Sequence, residues 1–257
     1  MGDMEYLVVI DLSSNNLTGN ITSSIRNCSK LRVLDLSGNN LYGEIPNSLG
    51  QLNMLQTLHL RGNKLYGEPP SSFQNLSRFI TLDLGNSMLK GSIPQWIGDS
   101  FRYLRMLSLR SNAFSGEIPS KLSNLSSLQV MDLAENRLNG TIPATFGDLK
   151  AMAQVPNGDK YLYSSRGASN YKESLVVDIK GQSRNGQIPE NIPNWHQLSS
   201  LDLSSNSLSG PIPPSMSSLS FLAFLNFPYN NFSGTIPYTG QMTTFQAPSY
   251  AGNLGLL

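Results

Sequence analysis

Leu31–Pro46 reads LRVLDLSGNNLYGEIP, and Leu55–Pro70 reads LQTLHLRGNKLYGEPP. The same sentence returns as LQVMDLAENRLNGTIP from Leu128 and LSSLDLSSNSLSGPIP from Leu198. Weaker copies begin at Leu7, Phe79, Leu104, Ser174 and Leu222, so the chain holds nine units at a step of 24 residues, with one step of 25 between Phe79 and Leu104. Self-similarity at such a period marks a stacked-repeat architecture. Each unit sets apolar residues at positions 1, 4, 6, 11 and 15, Asn near 9, Gly at 13 and usually Pro at 16.

Every one of those positions has a physical task. The L-x-L pair alternates with a period of two, which predicts a short strand with leucines inward and positions 3, 5 and 7 outward. Asn turns the chain off the strand, and its amide satisfies backbone groups that the turn leaves unpaired. Gly supplies a conformation that disfavours other residues, and Ile-Pro starts an extended return segment. Later leucine pairs, Leu49 with Leu52 and Leu122 with Leu125, close the back of the core.

The composition of the 257 residues narrows the function classes. Charged side chains make up 14%, below the roughly 25% usual in soluble domains, so Ser, Asn and Thr hydrate much of the surface. The net charge of +1 gives no electrostatic footprint for nucleic acid. One cysteine, Cys28, rules out an internal disulfide and a cysteine-built zinc site; it falls where Leu52 and Leu125 fall in their units, which predicts a buried thiol. No apolar run approaches the roughly 20 residues that span a bilayer, and the start lacks the pattern of a secretory signal, so the chain is expected to make no direct membrane contact.

The phased LxxLxL units with the L-x-G-x-I-P extension resemble the leucine-rich repeats of the plant-specific subclass found in receptor-like proteins, receptor kinases and polygalacturonase inhibitors. The resemblance implies an α/β leucine-rich repeat solenoid, a right-handed curved superhelix of about nine repeats with a parallel sheet on its concave face. Residues 1–151 are expected to hold six units. The rhythm then breaks, and 152–173, MAQVPNGDKYLYSSRGASNYKE, resembles the island insertion of plant receptor-like proteins. Residues 174–237 are read as three more units, the first a hybrid with Gln182 where Asn is expected and Arg184 where Leu is expected. Residues 238–257 form a tail, read as an incomplete cap, so both solenoid ends are expected to be poorly protected.

Catalysis finds little support. Position 5 reads Asp11, Asp35, His59, Asp83, Ser108, Asp132, Asp178, Asp202 and Asn226, but the repeat itself writes LDLS, which makes the row a solvated structural ladder. No nucleophile elbow, phosphate loop or zinc motif accompanies it, and no cofactor is implied. Asp35 and Asp83 are expected to bracket His59 from the adjacent strands and favour its charged form.

Binding finds more. Thr57, His59, Arg61, Met106 and Arg110 break the Ser-rich default of the outward rows and give the mixture of residue types enriched at interface cores. Tyr161, Tyr163, Arg166 and Tyr171 of the insertion add further candidates for ligand contact. Phe224, Asn226, Pro228 and Tyr229 replace the polar run of the last repeat and offer apolar surface to a co-receptor or other partner. Seven N-x-[ST] sequons, at Asn16, Asn20, Asn27, Asn75, Asn124, Asn139 and Asn231, are candidate glycosylation sites.

The reading is a non-enzymatic recognition module resembling the ectodomain of a plant cell-surface receptor-like protein. It binds a protein or peptide ligand, with a co-receptor carrying its own leucine-rich repeats, in immunity or development. The family places such a module at the plasma membrane exterior or in the apoplast. Two alternatives stay open: an inhibitor of a secreted cell-wall hydrolase of the polygalacturonase-inhibitor type, and a truncated product without its own ligand. An ice-binding role would need a flat exposed threonine array, which the sequence does not write.

Overall fold

The computed structural model describes residues 4–149, 174–179, 182–187 and 198–257. The L-x-L segments form the expected strands, Val9–Asp11, Val33–Asp35, Thr57–His59, Thr81–Asp83, Met106–Ser108, Val130–Asp132, Ser200–Asp202 and Phe224–Asn226. They pair in parallel, in that order, as one eight-stranded main sheet. Their inward leucines, Leu34, Leu58, Leu82, Leu107 and Leu201 among them, are at most 1% exposed and stack as one column.

Asparagine holds the stack. Asn63 Oδ1 accepts the Leu41 amide at 3.0 Å, while its Nδ2 donates to the carbonyls of Leu36 and Leu60 at 2.9 Å. One buried side chain thereby joins its own turn to the preceding one. Asn39, Asn112, Asn136, Asn206 and Asn230 repeat the pattern. Phe79's unit departs from it, since Ser87 stands in the asparagine position. The residue before the ladder position adopts a left-handed backbone in unit after unit, with φ of +63° at Gly38, +69° at Gly62 and +53° at Ser205.

Positions 10 to 14 build a second parallel sheet that the sequence reading left as a return segment. Its strands are Thr18–Gly19, Asn40–Glu44, Lys64–Gly67, Met88–Gly91, Ala113–Glu117 and Arg137–Asn139. The signal was present: Leu41, Gly43 and Ile45 alternate with Tyr42 and Glu44 at the period of a strand. Behind both sheets, short 3-10 helices carry Leu49 and Leu122 into the core, and Leu52 and Leu125 follow them. An edge-to-face run links Phe73 to Phe79 and Phe79 to Phe101 at centroid distances of 6.0 and 5.0 Å. Cys28 is a free thiol buried in the leucine column, and burial pushes its pKa up.

Two expectations are corrected. The main sheet passes from Val130–Asp132 directly to Ser200–Asp202, and the stretch from Ser174 adds no strand to it. Ser174–Ile179 instead pairs antiparallel with Gln182–Gln187, so the hybrid repeat is a hairpin and Asp178 lies opposite Ser183, outside the ladder row. The chain divides into two compact units, residues 1–152 with 196–257, and Ala153–Trp195. The expected insertion at 152–173 lies outside the described residues.

The tail is the second correction. The Phe227 amide donates to the Ser249 carbonyl at 2.8 Å and the Tyr229 amide to Ala251 at 2.9 Å. Asn253 takes the ladder position, with its Oδ1 on the Phe232 amide and its Nδ2 on the Phe227 and Tyr250 carbonyls. Tyr250 is buried against Phe227. The stretch AGNLGLL thus supplies one more turn over the last repeat, where an incomplete cap was expected.

Candidate functional site

Strand register arranges the outward rows. Position 3 runs Thr57, Thr81, Met106, Val130, Ser200 and Phe224; position 5 runs His59, Asp83, Ser108, Asp132, Asp202 and Asn226. Thr57 and His59 therefore share one strand, Met106 lies two strands on, and Arg61 and Arg110 follow the ends of those strands. The structure places this group on one sheet face but corrects the expectation of exposure: Thr57, His59, Met106 and Arg110 are buried there, and Arg61 is partly exposed. Tyr161, Tyr163, Arg166 and Tyr171 lie outside the described residues.

The aspartate row has a task that the sequence reading did not assign. Asp35 Oδ1 accepts the Ser37 amide at 2.9 Å and the Ser37 hydroxyl at 2.6 Å. Asp202 does the same with Ser204, and Asp83 and Asp132 hold the amides of Gly85 and Ala134. Each carboxylate fastens the first bend after its strand. Asp35, Asp83, Asp132 and Asp202 are buried, so the row is a turn-fixing device where a solvated ladder was expected.

His59 replaces aspartate in this row, and its surroundings are asymmetric. Asp35 and Asp83 flank it in register as expected; Asp35 bonds Ser37, and His59 Nδ1 lies 3.8 Å from Asp83 Oδ2. Burial pushes the Asp83 pKa up; the bond and charge of His59, the Gly85 amide and the charge of Arg61 outweigh it and hold the carboxyl below its usual range.

Arg110 is the other centre. Its guanidinium meets Glu135, lies 3.2 Å from Asp202 and 3.6 Å from Asp132. Asp202 also accepts from Asn226 Nδ2 at 3.0 Å. Burial and the neighbouring Asp202 raise the Asp132 pKa to about 7 against the pull of Arg110. Arg110 does not cancel that rise because its charge is shared with two closer carboxylates. In the last repeat Tyr229 is well exposed and Phe224 half-buried, but Pro228 is buried, since the following tail turn covers its backbone. All seven sequon asparagines are exposed.

No group of three or more metal-ligating side chains is assembled among the described residues. No helix among them is long and apolar enough to cross a membrane.

Comparison with known proteins agrees with this geometry. Family models described as leucine-rich repeat match residues 5–65, 103–125, 127–149 and 197–219, together about half of the chain. No curated protein gives a significant match. Among solved structures, the plant peptide hormone receptor RGFR1 in complex with RGF2 is 30% identical with a TM-score of 0.70, covering 91% of this chain and 30% of its own. The Arabidopsis receptor kinase HAESA, in complex with the peptide hormone IDA and the co-receptor SERK1, is 29% identical with a TM-score of 0.60, covering 97% of this chain and 42% of its own. A plant ice-binding protein is 25% identical with a TM-score of 0.56, covering 96% and 80%; here the two threonines of the outward rows, Thr57 and Thr81, are buried. The chain spans less than half the length of the receptor chains it matches. With its repeats matched by those models over about half of its length, the chain belongs to the leucine-rich repeat family, and its structure is similar to those of plant receptors.

Proposed function

We propose that the chain is a non-enzymatic recognition module of a plant cell-surface receptor, taking a peptide or protein ligand on the main-sheet face and the inserted segment, with a co-receptor that carries its own leucine-rich repeats. The observation that supports this most is the likeness over nine tenths of the chain to a receptor ectodomain solved with its peptide hormone. Arg61, partly exposed, is the proposed ligand contact of the sheet, with the buried Thr57, His59 and Met106 supporting it from beneath, and Tyr161, Tyr163, Arg166 and Tyr171 are the proposed contacts of the insertion. Tyr229 with Phe224 is the proposed partner surface. Arg110, held by three carboxylates, is a positioning residue on this reading. Such a module acts at the plasma membrane exterior.

The test is association of the purified chain with immobilised SERK1 ectodomain, with and without fractionated plant secreted peptides. Peptide-dependent association that falls at least tenfold in Arg61→Ala, in Tyr229→Ser and on deletion of 152–173 supports the reading. Association that ignores the peptides, or that survives all three changes in a folded chain, overturns it.

A further inference from the structure

The outer side of the second sheet carries chemistry that ligand recognition on the main sheet does not use. Tyr42, Tyr66 and Met88 are each about half exposed there. Tyr66 lies in register with Glu44 on one neighbouring strand and with Met88 on the other. The glycines of each following repeat leave room for a carboxylate: a Cβ on Gly67 would stand 3.0 Å from Glu44 Cγ, and one on Gly91 would stand 2.7 Å from the Glu68 carboxyl. Glu44 and Glu68 thus lie along glycine backbone on neighbouring rungs, about 5 Å apart across the sheet and offset by two residues, about 7 Å, along it, since Glu44 pairs with Tyr66. Beside them runs a groove of about 570 Å³, walled further by Pro70, Pro94, Lys90 and Trp96. Trp96 is braced edge-to-face by Phe101 at 5.7 Å.

The occupant follows from three properties. First, Lys90 lines the groove beside Glu44 and Glu68, and Lys64 lies on the strand that leads to Glu68, so the local net charge is small and a polyanion gains no net attraction. Second, the partly exposed rings of Trp96 and Pro94 offer apolar surface, while the carboxylates accept charge-assisted hydrogen bonds from hydroxyl groups. A pyranose ring presents that pairing, an apolar C–H face with a rim of hydroxyls. Third, no sequon asparagine is among the residues that line the groove or on the strands from Asn40 to Glu117; Asn75 lies at the far end of the short helix that begins at the lining residue Ser71.

We infer that the groove binds a neutral oligosaccharide laid across the repeats, with Glu44 and Glu68 each taking hydroxyls of a successive sugar ring and Trp96 stacking on one of them. The site is separate from the main-sheet face and stands without the peptide-receptor reading.

The chain has two tryptophans, so Trp195→Phe leaves Trp96 as the single indole reporter. Its fluorescence and isothermal calorimetry are followed while cellohexaose, xylohexaose, hexagalacturonate or a proline-rich decapeptide is added. The expected result is saturable binding of a neutral hexasaccharide, weakened at least tenfold by Glu44→Ala with Glu68→Ala at an unchanged melting temperature. Binding of neither neutral hexasaccharide by calorimetry, preference for hexagalacturonate or the peptide, or undiminished affinity in the double variant overturns the proposal.

Discussion

Arg110 Nη1 lies 3.2 Å from Oδ2 of Asp202, a residue 92 positions further along the chain. One main-sheet strand, Val130–Asp132, lies between the strand that leads to Arg110, Met106–Ser108, and that of Asp202, Ser200–Asp202. The guanidinium thereby ties the repeats before the inserted stretch to those after it. Removing one partner of a buried pair leaves uncompensated charge, so Arg110→Met is expected to cost about 3–5 kcal/mol. Adding Asp202→Asn and Asp132→Asn to the same chain should recover most of it. Urea unfolding of the single and triple variants measures both; an Arg110→Met chain as stable as the parent would mean that the cluster carries no net energy.

Asp132 gives stability a pH dependence of defined sign. Its folded pKa, about 7, lies above the ordinary carboxylate value, so the folded chain binds the proton more tightly than the unfolded one. The associated stabilisation is full below the unfolded value and is lost as pH rises through about 7. Asp132→Asn keeps an oxygen for the Ala134 amide and cannot ionise. Relative to the parent it should be near neutral at pH 4 and more stable by roughly 1 kcal/mol or more at pH 8. Thermal melts at the two pH values decide it, and an equal difference at both would contradict the assignment.

Asp83 works in the opposite direction. Held below its usual range by His59, the Gly85 amide and Arg61, it contributes stability that is present above the unfolded carboxylate value and is lost as pH falls through the folded one. In Asp83→Asn the acid side of the stability profile should flatten while the alkaline side keeps the Asp132 slope. A parent-like acid limb would show that Asp83 is not the group responsible.

Ser87 is a vacancy in the asparagine ladder. In the other units the ladder oxygen accepts an amide of the preceding repeat, as Asn63 does from Leu41 and Asn112 from Leu89; Leu65 is the residue that Ser87→Asn would serve. A net hydrogen bond adds about 0.5–1.5 kcal/mol, so the substitution should raise stability by about 1 kcal/mol and slow hydrogen exchange at Leu65. A lower melting temperature would show that Phe79 and its neighbours have packed around the smaller side chain.

The repeats were legible because each position has one physical task and carries it in every copy. Leu34 and Leu58 announce the inward column, and Asn39 and Asn63 the joint between turns. Where one residue does two tasks, sequence spacing said less. Asp35 was visible as part of a row, but its bond to the Ser37 amide depends on a bend that only coordinates show. SLVVDI at Ser174 does form a strand, yet its partner is the next segment along the chain, Gln182–Gln187, a pairing that repeat spacing does not announce. Arg110 was picked out as an exposed recognition residue; its link to Asp202 was hidden because a further repeat was expected between Val130–Asp132 and Ser200–Asp202.

Across the inserted stretch the ladder is unbroken. Asn206 Oδ1 takes the Leu138 amide at 3.0 Å, 68 positions earlier, as any asparagine takes its immediate predecessor. The frame therefore does not register how much chain has passed between Leu149 and Leu198. Closing a loop costs only about 0.6 kcal/mol for each doubling of its length. Segments of quite different length and composition can accordingly be exchanged at this point while the flanking repeats keep their spacing, so the molecule has a natural cloning site for foreign sequence written into its backbone hydrogen bonds.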